Sequence, residues 1–134
     1  MENDYIMKLV NCSQEYWEFV RRLRNDERVA DGFIETEKIT KSMQINYMRN
    51  QAQNYRVAIL NGSALGYVGV IDDDFRICTH PDFQGKGVAK FMINESLKIW
   101  PNAFARVKIS NVKSLKLFKT LGFKEKYIIL TRDI

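Results

Sequence analysis

An Asn-Gly dipeptide between two apolar segments constrains the fold more than any other feature of this sequence. Asn61-Gly62 is flanked by Tyr55–Leu60 and Ala64–Ile71, both rich in β-branched and aromatic residues. Asn-Gly suits a two-residue turn because both of its positions tolerate positive φ. The pattern therefore predicts an antiparallel hairpin in the middle of the chain.

Hydrophobic periodicity predicts the elements on either side of this hairpin. Alternation over Asp4 to Val10 indicates a first strand. Ser13 is predicted to cap a first helix that continues through Asp26, and Thr40 to cap a second helix that ends near Asn50. The segment between these helices, Glu27 to Ile39, has no clear period and is predicted to be a loop or a short helix. After the hairpin we predict a strand, a helix, a strand, a helix and a final strand or strand pair, at Phe75–His80, Val88–Trp100, Ala103–Ile109, Val112–Leu121 and Phe123–Thr131. This order predicts a mixed α/β sheet with helices on both faces.

Size and composition limit the class of protein. The chain has 134 residues, which predicts a single domain over residues 1–134. No apolar run is long enough for a membrane span, and the N-terminus does not resemble a signal peptide, so we expect a cytoplasmic protein without a membrane partner. Two cysteines and one histidine argue against a structural zinc site, and we expect no metal. The net charge of +5 favours an anionic partner, which could be nucleic acid, an acidic surface or a phosphate-bearing cofactor.

A glycine-containing loop before the predicted third long helix has the composition of an anion-binding site. Gly85 and Gly87 allow backbone N–H groups to converge, and the first N–H groups of the following helix have no partners within it. Together with Lys86 and Lys90, these groups favour a phosphate or a diphosphate. The loop lacks the pattern of a nucleotide P-loop and that of a dinucleotide-binding loop. Taken alone, Gly-Lys-Gly is also typical of an ordinary strand-to-helix turn.

Two motifs resemble the GNAT superfamily of N-acetyltransferases. The segment Gln84-Gly85-Lys86-Gly87-Val88-Ala89, preceded by Thr79-His80-Pro81, resembles the Gln/Arg-x-x-Gly-x-Gly/Ala signature of that family. The family's Asn…Gly-Phe helix is similar to a second set of residues, Asn111, Ser114, Phe118, Gly122 and Phe123. The element order is also the family's order, and the resemblance covers essentially the whole chain. It implies the GNAT fold, with a mostly antiparallel sheet that is splayed between strands 4 and 5.

The resemblance implies acetyl-CoA as co-substrate and assigns residues to it. The backbone of Ile77, Cys78 and Thr79 would take the pantetheine arm, and the Ile77 N–H would also polarise the thioester carbonyl. The diphosphate would be held by the loop residues Gln84, Gly85, Lys86, Gly87, Val88 and Ala89. Asn111 would contact the pantetheine or acetyl side of the cofactor, and Ser114 and Phe118 would form the wall of its groove. Many family members have a tyrosine where Phe118 stands, so the proton donor to the leaving thiolate is open, with water and Tyr127 as candidates.

A protonated amine acceptor needs a base, and the resemblance points to the acidic turn at residues 72–74. Many family members carry a carboxylate on the fourth strand at a position that corresponds to Asp73. We take Asp73 as the first candidate for the general base and Asp74 as the second, with a solvated turn as the structural alternative. His80, the one histidine, is an outside candidate for the base. Cys78 is interpreted as a small buried hydrophobe rather than a nucleophile.

The acceptor side is expected to lie in the first third of the chain. Arg24-Asn25-Asp26 followed by Val29 resembles the opening of the branch that acts on amino-sugar nucleotides and of ribosomal-protein N-terminal acetyltransferases. Arg24 and Glu35 are the candidate acceptor-binding residues, with surface solvation as the alternative.

Three functions are compared for the chain. The first is acetyl-CoA-dependent acetyl transfer to the primary amine of a small or sugar-linked acceptor. A protein or peptide amine is the alternative acceptor. A non-catalytic module that binds CoA or nucleic acid is the third reading, although no aromatic and basic pattern of an RNA-binding surface is present. The short segment after Phe123 is either a truncated strand pair or one completed by another protomer, so a homodimer stays open.

Overall fold

The computed structural model describes residues 6–132, and its central feature is a four-stranded antiparallel sheet. The strands lie in chain order, as β1 (Lys8–Asn11), β2 (Tyr55–Leu60), β3 (Ser63–Ile71) and β4 (Asp74–Thr79). Asn61 and Gly62 join β2 to β3 with φ values of 52° and 75°, which confirms the predicted hairpin. The predicted first strand is shorter than expected and ends one residue later, at Asn11, while its positions 4 and 5 lie outside the described residues.

Four α-helices accompany the sheet. They are α1 (Trp17–Asn25), α2 (Lys41–Gln51), α3 (Val88–Ile99) and α4 (Val112–Thr120). Short 3-10 turns occupy Gln14–Tyr16, Glu27–Gly32, Ala52–Asn54 and Pro81–Phe83. Within residues 6–132, none of these helices has the length and apolar character that a membrane crossing requires.

Of the two side chains predicted to cap helices, Thr40 does so and Ser13 does not. The Thr40 hydroxyl accepts a hydrogen bond from the Met43 N–H at 3.2 Å, which confirms the predicted cap of α2. The prediction that Ser13 caps the first long helix is wrong, because a 3-10 turn intervenes and α1 begins at Trp17. The Ser13 hydroxyl instead donates to the Glu15 carboxylate at 3.1 Å.

The sheet is covered on both faces, as predicted. Val57 packs with the buried side chains of α1 and α2, whereas its neighbour Ala58 packs with those of α3 and α4. Tyr67 and Val68 divide in the same way on β3. Successive side chains of a strand point to opposite faces, so the two apolar clusters are separated by the sheet itself.

Gly69 allows an aromatic side chain to lie across β3. A Cβ at this position would lie 2.5 Å from the ring of Tyr55, the residue paired with Gly69 on β2. The Tyr55 ring occupies that space, with its centroid 5.9 Å from the Tyr47 ring and 6.1 Å from the Tyr67 ring. The three tyrosines thereby form one wall on the α1 and α2 side of the sheet.

Two predicted strands are wrong. The predicted strand at Ala103–Ile109 makes a single parallel bridge, between Phe104 and Asp74, and no ladder. The predicted final strand at Phe123–Thr131 has no regular secondary structure in the described residues, and Leu130 is 90% exposed. Apolar alternation reports which side chains are buried, whereas a strand also needs hydrogen-bonding neighbours along its edge. Neither segment has such neighbours over its length.

Candidate active site

The free edge of β4 carries unpaired backbone groups. In an antiparallel ladder, alternate residues direct their N–H and C=O groups to the same neighbour. The His80 N–H donates to the Leu65 carbonyl at 2.8 Å, so the register directs the backbone of Cys78 and of Arg76 toward β3 as well. Phe75 points the other way, and its N–H donates to the Phe104 carbonyl at 2.9 Å.

Beyond Phe75 this edge has no partner. The same alternation directs the N–H groups of Ile77 and Thr79 away from β3, and no described residue forms a ladder with them. Beyond the bridge at Phe104 the backbone therefore leaves a gap beside β4, on the side where the resemblance implies a splay, although the segment across the gap forms no fifth strand. Of the three backbone positions predicted to bind pantetheine, Ile77 and Thr79 are open, whereas the backbone of Cys78 faces β3.

A cavity of about 310 Å³ lies at this gap and reaches both faces of the sheet. Some of its lining residues belong to the α1 and α2 side, including Val20, Met48, Tyr55 and Tyr67. Others belong to the α3 and α4 side, including Phe75, Ile77, Val107 and Phe118. A cavity that passes through a sheet can receive two reactants from opposite faces, and this one is in the size range of small-molecule sites.

The predicted groove residues on α4 lie at the cavity. Asn111, Ser114 and Phe118 all line it. The Asn111 Oδ1 accepts a hydrogen bond from the Ser114 N–H at 3.2 Å and so caps α4. At the other end, Gly122 has a φ of 94° and the Phe123 N–H donates to the Phe118 carbonyl at 3.0 Å. The Asn…Gly-Phe motif therefore fixes both ends of α4, and its phenylalanine rings pack 5.1 Å apart.

The glycine loop forms a concave set of backbone donors outside this cavity. Gly85 and Gly87 have φ values of 77° and 81°, and Gly87 is the N-cap of α3. No backbone N–H of residues 85–90 donates a hydrogen bond to any group within residues 6–132. A Cβ at either glycine would meet nothing within 4 Å, so the surface beside both glycines is open. Lys86 and Lys90 are exposed beside it, and the arrangement suits an anion.

The two candidate carboxylates lie in different environments. Asp73 is exposed, has a φ of 65° and does not line the cavity. Asp74 is 6% exposed and does line it. Its Oδ2 accepts hydrogen bonds from the Arg106 Nε at 2.9 Å and lies 2.7 Å from an Arg106 Nη, whereas its Oδ1 is buried without a hydrogen-bond partner among the described residues. The structure therefore brings the second candidate, and not the first, to the cavity.

The predicted acceptor-binding residues also lie at the cavity. Arg24 and Glu35 line it, and the Arg24 side chain donates a hydrogen bond to the Glu35 carbonyl. The Arg24 guanidinium is 4.3 Å from the centre of the Phe33 ring. The amide of Asn25 binds the backbone of Ile39 through two hydrogen bonds of 2.8 Å. Arg24 and Asn25 therefore fix the position of the segment before α2, and this segment forms one wall of the cavity.

Sequence reasoning missed six polar residues that line the cavity: Gln44, Tyr47, Tyr55, Tyr67, Arg76 and Arg106. The Tyr47 and Tyr55 hydroxyls are 2.8 Å apart. Burial is the main cause that raises the pKa of both Tyr55 and Tyr67, so these hydroxyls are neutral and can donate hydrogen bonds. Arg76 could have been found from the two-residue alternation that places it beside Asp74, but no local signal in the sequence marks Arg106.

Two other sequence candidates have structural roles. The His80 Nδ1 accepts a hydrogen bond from the Asp82 N–H at 3.1 Å and so begins the turn at Pro81–Phe83. Cys78 is buried, and burial raises the pKa of its thiol to about 12, which keeps it protonated. Tyr127 is 84% exposed. Among the residues that the structure describes, no group of three His, Cys, Asp or Glu side chains is placed to hold a metal ion.

Solved structures resemble this fold over most of its length. A spermidine N-acetyltransferase from Vibrio cholerae, in complex with CoA and spermine, matches with a TM-score of 0.75 and 22% identity, covering 93% of this chain and 84% of that one. An aminoglycoside N-acetyltransferase in complex with CoA matches with a TM-score of 0.71 and 19% identity over 96% and 95% of the two chains. A domain from Methanocaldococcus jannaschii matches with a TM-score of 0.75 and 21% identity over 90% of each. At these identities the likeness shows the fold.

A comparison of the sequence with protein-family models identifies the family. No curated protein matches the chain, but the model of the acetyltransferase (GNAT) family matches residues 13–123, which include both motifs and every residue that lines the cavity. This match confirms the resemblance to the superfamily, and with it the predicted enzyme class and the predicted co-substrate, acetyl-CoA. The chain belongs to the acetyltransferase (GNAT) family.

Proposed function

We propose that this protein transfers the acetyl group of acetyl-CoA to the primary amine of a small or sugar-linked acceptor. The observation that carries the proposal is the cavity that crosses the sheet where the edge of β4 is unpaired. Its volume of about 310 Å³ favours a small acceptor over a folded protein surface. The Arg24-Asn25-Asp26 opening supports an acceptor of the amino-sugar class, and a protein or peptide N-terminus is the second candidate on the same motif.

The cofactor would bind along the α3 and α4 side of the gap. The free N–H groups of residues 85–90 would hold the diphosphate, with Lys86 and Lys90 beside it. The pantetheine arm would lie against the open edge at Ile77 and Thr79 and complete the hydrogen bonds that this edge lacks. Phe118 and Val107 would supply the apolar wall of the groove.

Acetyl transfer would then proceed by direct attack. The amine nitrogen forms a bond to the thioester carbon while the carbon–sulfur bond breaks, and the electron pair leaves with the sulfur as the CoA thiolate. The Ile77 N–H would donate to the carbonyl oxygen as negative charge develops on it. The Asp74 carboxylate, which lines the cavity, would accept a hydrogen bond from the amine and orient it, and the proton would pass to water. The thiolate would take its proton from water or from a neutral tyrosine hydroxyl.

Acetyl-CoA binding and acetyl transfer test this function directly. Calorimetry is expected to show saturable binding of acetyl-CoA to the full chain. Release of free thiol in the presence of a panel of primary amines is expected to show turnover with small amines and little with peptides. Absence of saturable binding would contradict the proposal, and turnover with peptides alone would replace the small acceptor by a protein one.

Substitution of Gly87 tests the anion site. Gly87→Glu places a negative charge in front of the free N–H groups, so the affinity for acetyl-CoA should fall by roughly 100-fold or more. Gly62→Glu is the matched control, because Gly62 also has a positive φ with open space around it but lies in the β2–β3 turn. Calorimetry on both variants measures the effect. Equal affinities for the two variants would show that the loop does not bind the diphosphate.

Substitutions of the adjacent Asp73 and Asp74 test which of the two carboxylates assists acetyl transfer. Asp74→Asn should lower kcat by roughly 100-fold or more because the amide no longer accepts the amine hydrogen bond as a carboxylate does. Asp73→Asn, the same change at the exposed neighbour, should leave kcat within about 3-fold of the original. Circular dichroism should show both variants folded at the assay temperature. A large loss in the Asp73 variant with an active Asp74 variant would reverse the assignment.

A further inference from the structure

The cavity is lined by more positively charged than negatively charged side chains. Its lining contains three guanidinium groups, those of Arg24, Arg76 and Arg106, and two carboxylates, those of Asp74 and Glu35. Arginine stays protonated throughout the physiological range, so all three groups are positive. The tyrosine hydroxyls on the same wall are neutral, because burial raises the pKa of Tyr55 and Tyr67. The cavity wall as it stands therefore has an excess of positive charge.

Asp74 does not balance the two arginines that approach it. Its Oδ2 receives the close contacts of Arg106, and an Nη of Arg76 lies 3.5 Å from the same oxygen. The hydrogen bond to Asp74, followed by the charge of Asp74, raises the pKa of Arg106. Asp74 thus makes the close contacts to both guanidinium groups, the stronger of which all go to Arg106, and the charge of Glu35 on the same wall also raises the pKa of Arg106.

Arg76 has hydrogen-bond donors that nothing in the structure uses. A guanidinium carries five N–H donors, and within residues 6–132 the Arg76 side chain makes no hydrogen bond. Its Nε is buried without a partner, while its side chain as a whole remains 38% exposed toward the cavity it lines. The planar fork of a guanidinium matches two oxygens of a carboxylate or a phosphate. A second anion beside Asp74 would complete the arrangement of two cations and two anions.

We infer that the acceptor in the proposed reaction is a primary amine that also carries a carboxylate or phosphate group, and that Arg76 binds this group. The inference rests on the proposed function and narrows its substrate. The amine would lie at the Asp74 carboxylate, and the anionic end would lie at the Nη groups of Arg76, because its Nε is buried. A polyamine is disfavoured in such a cavity, because its further ammonium groups would meet a wall on which three guanidinium groups outnumber two carboxylates.

Matched pairs of amines test the inference on the unmodified protein. The pairs are β-alanine with β-alaninamide for a carboxylate, and phosphoethanolamine with ethanolamine for a phosphate, with spermidine as the polycation. The expected result is that kcat/KM is at least 10-fold higher for the anionic member of one pair, and the pair that shows it identifies the group. Equal or better turnover of the uncharged members or of spermidine would overturn the inference and leave the proposed function standing. Failure to bind acetyl-CoA would overturn the proposed function instead.

Substitution of Arg76 separates anion binding from a structural effect. Arg76→Gln should raise KM for the anionic amine by at least 10-fold and reduce the preference for it over its uncharged partner, while the affinity for acetyl-CoA changes little. Arg76→Lys keeps the charge without the planar fork and should have an intermediate KM. Arg22→Gln is the matched control, because Arg22 is an exposed arginine of α1 that does not line the cavity. An unchanged preference for the anionic amine in Arg76→Gln and Arg76→Lys would overturn the role of Arg76.

Discussion

The structure depends on a strand that is hydrogen bonded along one edge and open along most of the other. β4 pairs with β3 over its whole length, but on its far side it is bonded only around Phe104. Backbone N–H and C=O groups need partners, so an open edge beside an apolar groove is a place for a ligand that supplies them. The cavity, the capped end of α4 and the glycine loop all lie around this edge or follow it in the chain.

A side-chain ion pair spans the gap that the backbone leaves open. Arg106 binds Asp74 from the segment opposite β4, so the two walls are connected without closing the ladder between Ile77 and Val107. The pair contributes little net stability, because solvent around the exposed Arg106 screens the attraction and the burial of Asp74 costs desolvation. The Asp74–Arg106 pair instead fixes the positions of a carboxylate and a guanidinium group on the cavity wall. The same pair therefore links the shape of the cavity to the charge that an acceptor meets.

The parts of the fold that the sequence predicts are those that local chemistry determines. The hairpin at Asn61-Gly62, the cap at Thr40 and the loop before α3 follow from turn and capping preferences that act over a few residues. The prediction of a strand at residues 103–109 is wrong, because the apolar alternation there reflects burial only. Whether a segment pairs as a strand depends on neighbours that are distant in the chain. The order of the two candidate carboxylates stays a prediction, although only Asp74 lines the cavity. A spacing from the motif does not show which of two adjacent side chains turns inward.

Residue-resolved amide hydrogen exchange, with and without coenzyme A, tests the open edge most directly. Without ligand, the N–H groups of Ile77 and Thr79 should exchange much faster than those of Arg76 and Cys78, which face β3. Saturation with coenzyme A should slow hydrogen exchange at the N–H groups of Ile77 and Thr79 and at those of residues 85–90. Slow exchange at Ile77 and Thr79 without ligand, unchanged when coenzyme A is added, would show that the edge is already paired and would contradict the account.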